Sequence, residues 1–81
     1  MPRTITSPEE LQASVQAQVN EIEVVKEDRA KVGVPLPYWH EPDKTGCNWN
    51  MNYFRDARGY EDKIAGIVAR HRAEFNLPDR K

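Results

Sequence analysis

The side chains able to do chemistry crowd into one short stretch. Residues 38–54 hold Tyr38, Trp39, Trp49, Tyr53 and Phe54, together with the only cysteine, Cys47, and one of the 2 histidines, His40. A metal site would have to combine His40, Cys47 and the distant His71 with Glu41 or Asp43. That spacing follows no zinc pattern, and the fourth ligand is arbitrary. The simpler reading makes Cys47 a small buried hydrophobe and His71 a helix residue at the edge of the core. A Cys47 nucleophile paired with either histidine has no orienting third group and no oxyanion hole. There is no glycine-rich phosphate loop and no paired-carboxylate arrangement with a pocket. The sequence therefore predicts a protein that is not an enzyme and needs no cofactor.

The aromatics themselves admit three uses. Trp39, Trp49, Tyr53 and Phe54 can form a contact surface for a protein partner, with Arg55 and Arg58 on its rim, since binding hot spots favour Trp, Tyr and Arg. The same rings can stack on unpaired bases while Lys44, Arg55 and Arg58 meet phosphates and Asn48, Asn50 and Asn52 read base edges. Against nucleic acid stands a balanced charge, Lys+Arg 12 against Asp+Glu 13, net -1, where such binders carry a basic footprint. Third, the rings can simply be the hydrophobic core and the asparagines its wet face.

The elements that must position these residues are punctuated clearly. Ser7-Pro8-Glu9-Glu10 starts a helix: Ser7 caps, Pro8 suits the first helical position and Glu10 completes a capping box. Leu11, Val15, Gln18, Ile22, Val25, Arg29 and Val32 then recur in steps of four and three, a stripe along a helix over about 8–31, which Gly33 and Pro35 stop. At 1.5 Å per residue that helix is roughly 36 Å long, more than a second helix of the chain can cover. The overhang, with Gln18 and Arg29 setting register, predicts a homodimer.

Val34-Pro35-Leu36-Pro37-Tyr38 reads as an extended connector. Turn chemistry at Glu41 to Gly46 separates Leu36–Glu41 from Gly46–Phe54, where Cys47, Trp49, Met51 and Tyr53 alternate with asparagines, and the pair predicts an aromatic β-hairpin within about 34–54. A helical turn at 47–54 competes with it. Gly59 or Asp56 can cap a second helix over about 60–76 that buries Tyr60, Ile64, Ile67, Val68, His71 and Phe75, with Gly66 admitting a neighbouring backbone. A polar tail, 77–81, follows. The fold class expected is mainly α, a small α+β domain of long helix, short hairpin or extended loop, and second helix.

At 81 residues the chain has room for one domain with one modest core, and 38% hydrophobic with 31% charged residues suits a folded protein. No stretch approaches the roughly 20 apolar residues that span a bilayer. The start lacks the apolar run of a secretory signal and a single cysteine builds no internal disulfide, so a cytoplasmic location is expected.

Gly46-Cys47-Asn48-Trp49, followed by the helix ending Arg72-Ala73-Glu74-Phe75-Asn76-Leu77, resembles small uncharacterised proteins encoded by bacteriophages and prophages. The likeness covers the C-terminal half and carries no active-site residues. It implies a class of task, binding a host protein so as to block or redirect it.

Overall fold

The computed structural model describes residues 3–78. In chain order it has β1 (Thr4–Ile5), α1 (Pro8–Asn20), α2 (Glu23–Glu27), β2 (Tyr38–Trp39), β3 (Trp49–Asn50), α3 (Glu61–Glu74) and β4 (Phe75–Asn76). It is a small α+β fold.

The start of α1 is the one its sequence predicts. Ser7 Oγ accepts from the Glu10 amide at 3.1 Å, and Pro8 sits in the first turn. The capping box is not closed in the expected way, because the Glu10 carboxylate accepts from Thr6 Oγ1 instead. Leu11, Val15 and Val19 bury one side of α1.

The long helix is not formed. After Asn20 the chain leaves the helix, Ile22 is extended (φ -61°, ψ 125°), and five-residue α2 follows before Arg29 turns left-handed at φ 53°. The cause is non-local. Gln12 Nε2 donates to the Val34 carbonyl at 2.9 Å, Gln16 Nε2 to that of Val32 at 2.9 Å, and Gln16 Oε1 accepts from the Val34 amide at 3.3 Å. These bonds draw residues 32–34 back alongside α1, so that Val25, Val32 and Val34 join the core instead of extending past it. A straight helix would leave those valines in water, and packing rather than propensity supplies most helical stability. With α1 at 13 residues and α3 at 14, the overhang that predicted a zipped dimer is gone.

The hairpin forms in the antiparallel register Tyr38↔Asn50 and Trp39↔Trp49, but it is shorter than expected. Asp43 shapes its turn: Oδ1 accepts from the Thr45 hydroxyl at 2.6 Å and from the Thr45 and Cys47 amides, and Gly46 closes at φ 89°. Beyond Met51 the alternation ends. Arg55 makes an isolated antiparallel bridge to Gly33, each amide donating to the other's carbonyl at 2.9 Å. A Cβ on Gly33 would lie 3.0 Å from that of Arg55, so Gly33 serves this close approach rather than ending a helix.

α3 buries Ile64, Ile67, Val68 and His71 as expected. Tyr60 takes its N-cap position without a capping side chain, so neither Gly59 nor Asp56 caps it. Gly66 is exposed and faces open space; no backbone packs there. The helix stops at Glu74, and Phe75–Asn76 instead pairs parallel with Thr4–Ile5. Leu77, expected in a polar tail, is buried; residues 79–81 of that tail lie outside the described residues.

This C-terminal segment knits the hairpin to the rest. Asn48 donates through Nδ2 to the Leu77 carbonyl (2.8 Å) and accepts through Oδ1 from the Leu77 amide (2.9 Å). Trp49 Nε1 donates to the Phe75 carbonyl, and Asn76 Nδ2 to that of Gly46, both at 2.9 Å. Asn48 is thus 3% exposed, a buried clamp rather than part of a wet amide face. The core centres on Trp49, Leu11, Val15, Val19 and Cys47.

Candidate functional site

The pleat of the hairpin divides its residues. Trp39 and Trp49, paired across the strands, share the face turned to the core, while Tyr38 and Asn50 share the outer face. Trp49 has no exposed surface, and its indole N–H is spent on Phe75, so it is a core residue and not part of a contact surface. Trp39 is half-buried against the same core, and its Nε1 is buried without a partner. The pairing that makes a good hairpin is what removes both tryptophans from the outer face.

Past Met51 the chain is turned outward by two non-glycine residues in the left-handed region, Tyr53 (φ 64°) and Asp56 (φ 54°). Each such residue costs roughly 1–2 kcal/mol of backbone strain. Tyr53 is left 92% exposed, whereas neighbouring Phe54 packs partly against the core. Asn52 Nδ2 donates to the Tyr38 hydroxyl at 2.9 Å, which ties the outgoing segment to the hairpin's outer face.

Between this segment and α3 runs an apolar groove of about 510 Å³. Ile64 and Val68 form its floor, exposed Ala65 and Ala69 keep it open, and Tyr53 and Phe54 stand at its edge. Ala65 and Ala69 lie four apart on a helix, hence on one face. Arg72 bounds the groove and is held from two sides: Nε donates to the Trp49 carbonyl at 3.1 Å and Nη2 to Asp43 Oδ2 at 2.7 Å. The Thr45 hydroxyl, then the Thr45 and Cys47 amides and the Arg72 charge, hold the Asp43 carboxyl down at about 2 against the opposing effect of partial desolvation. Arg58 also lines the groove, and among the described residues it has no ion-pair partner.

Of the residues expected to form one surface, the fold gathers Tyr53, Phe54 and Arg58. Arg55 is exposed outside the groove, its stem against Gly33, and Lys44 stands exposed in the hairpin turn. Asn50 and Asn52, expected only as base-reading amides, also line the groove, and Ala65, Ala69 and Arg72 were not foreseen. For the two alanines the signal was available, as small residues four apart beside an apolar stripe.

The remaining reactive groups are scattered. His40 Nδ1 bonds its neighbour's carbonyl at Glu41, Cys47 Sγ donates to the Trp49 carbonyl, and His71 lies in the seam between α1 and α3. Among the described residues no three His, Cys, Asp or Glu side chains come together as a metal site. His71 Nε2 is 2.8 Å from Ser14 Oγ, a distance suited to a nucleophile and base. Its Nδ1 lies 2.8 Å from the Ile67 carbonyl and must donate there. The histidine is buried and neither residue lines the groove, so the pair is a structural tie between helices.

No described helix is long and apolar enough to cross a membrane. The chain matches no protein-family model, and neither curated proteins nor solved structures include one significantly similar to it, so its site is read from its own geometry.

Proposed function

We propose that this chain is a non-catalytic protein-binding module whose contact surface is the groove between residues 50–58 and α3, occupied by an apolar segment of another protein. One observation carries the reading. A tyrosine held in a strained left-handed conformation and 92% exposed stands at the edge of an apolar groove, where its ring stabilises nothing in the isolated chain. Strain concentrated at an exposed aromatic is the pattern of a recognition site. Arg58, without an acidic partner among the described residues, favours a segment that brings a carboxylate. The task implied by the phage-type resemblance, blocking or redirecting a host protein in the cytoplasm, is compatible with a groove of this kind. The nucleic-acid alternative is weaker, because its stacking platform loses Trp49 to the core.

A photo-crosslinking side chain in place of Tyr53 tests the proposal. It should give a discrete protein adduct that disappears when Ala69→Arg fills the groove, with the circular dichroism spectrum unchanged. Adducts indifferent to Ala69→Arg would refute it.

A further inference from the structure

Lys63, Ile67 and Arg70 occupy the side of α3 opposite Ala65 and Ala69, as the helical period requires. They form one wall of a second groove, of about 710 Å³, whose other wall is the end of α1 and α2 and carries Glu23 and Glu27. Ile22 and Val24 add apolar surface next to Ile67. Among the described residues the ion pairs are Lys26 with Glu21 and Arg72 with Asp43. Glu23 and Glu27 on one wall and Lys63 and Arg70 on the other therefore line the same groove without pairing.

We infer that this face is a self-complementary interface between two copies of the chain. A two-fold axis through the groove sets the acidic wall of each protomer against the basic wall of its partner, twice over, with the part-exposed Ile22 and Val24 enclosed between them. Charge complementarity selects this occupant. A basic partner meets repulsion at Lys63 and Arg70 and an acidic one at the glutamates, whereas a second copy satisfies both walls at once. This contact differs from the one the heptad-like stripe predicts, whose valines are in the core. It leaves the Tyr53 groove open, so each dimer would present two binding grooves.

Sedimentation over a dilution series, repeated with charge-swapped variants, tests the interface. The wild-type chain should dimerise reversibly at low salt and lose affinity about tenfold or more at high salt. Glu23→Lys/Glu27→Lys and Lys63→Glu/Arg70→Glu should each sediment as monomers with unchanged circular dichroism. Their equimolar mixture should restore a dimer containing one of each. A wild-type chain that stays monomeric at about millimolar concentration, a dimer that survives either reversal, or a mixture that stays monomeric would each overturn the inference. None of these results bears on crosslinking from Tyr53.

Discussion

Replacing Asn48 by alanine should be among the most damaging single changes in this protein. The side chain is 3% exposed and closes a two-way bond with the backbone of Leu77, itself 4% exposed. Alanine leaves a buried N–H and a buried C=O without partners, at about 1–3 kcal/mol each, hence about 2–6 kcal/mol if the segment stays in place. The segment has another option, which is to detach. Detachment gives up the burial of Leu77, about 1.5–3 kcal/mol, the Trp49 indole bond to Phe75 and the Asn76 bond to Gly46, about 1 kcal/mol each, and the pairing with Thr4–Ile5. The cheaper route bounds the loss, and about 3 kcal/mol is expected from a total of roughly 4–12 kcal/mol for a domain this size. Urea unfolding followed by tryptophan emission reads it directly, because Trp49 sits under the clamp. Leu77→Ala alone should cost about 2–5 kcal/mol. The double variant should fall short of the sum by at least about 1 kcal/mol, since both changes release the same segment. A loss under about 1 kcal/mol for Asn48→Ala, or strict additivity, would show that the clamp does not hold the C-terminal segment.

Gly66→Ala should raise stability by up to about 1 kcal/mol, because the added methyl meets nothing within 4 Å and alanine is the better helix former; a lower melting temperature would mean that something packs there. Tyr53→Gly should leave stability unchanged or raise it by about 0.5–1 kcal/mol as the left-handed strain is relieved, while abolishing partner binding. A loss of more than about 1 kcal/mol would make Tyr53 structural. Asp43, with its carboxyl lowered to about 2 from 3.8, stabilises the fold fully above the unfolded value and loses that contribution as pH falls through the folded one. The stability gap between the wild type and Asp43→Asn should therefore be constant above about pH 5 and close between pH 4 and 2. A gap that persists at pH 2 would show that the carboxylate charge is not what matters.

Much of what is decided by neighbours in sequence was legible, although the caps expected from Glu10, Gly59 and Asp56 did not form. Ser7 and Pro8 start α1 where their chemistry demands, the turn around Asp43 and Gly46 sets the hairpin, and the stripe of Ile64, Ile67, Val68 and His71 is the buried side of α3. What else failed was decided across the chain. The stripe from Leu11 to Val32 satisfies helical periodicity, yet Gln12 and Gln16, silent in any hydrophobic pattern, fold its second half back. Asn48 looks like one of three equivalent amides until Leu77 meets it. Trp49 and Tyr53 share a strand-like alternation, and only the left-handed turn at Tyr53 sends one ring inward and the other out. The candidate site was thus half legible: its aromatic edge lies in the sequence, but the helix face opposite comes from the fold.

The knot of bonds around residues 75–77 also sets a timetable for synthesis. Asn48 must wait for Leu77, 29 residues later, and Trp49 for Phe75, 26 residues later. At about 5–20 residues per second the ribosome takes roughly 1.5–6 s to make that stretch. Throughout that interval the largest side chain of the core has no roof, and Thr4 and Ile5 have no strand beside them. Any state of the chain in which residues 75–77 are undocked leaves the tryptophan uncovered, and that state is the one a chaperone or a protease can act on.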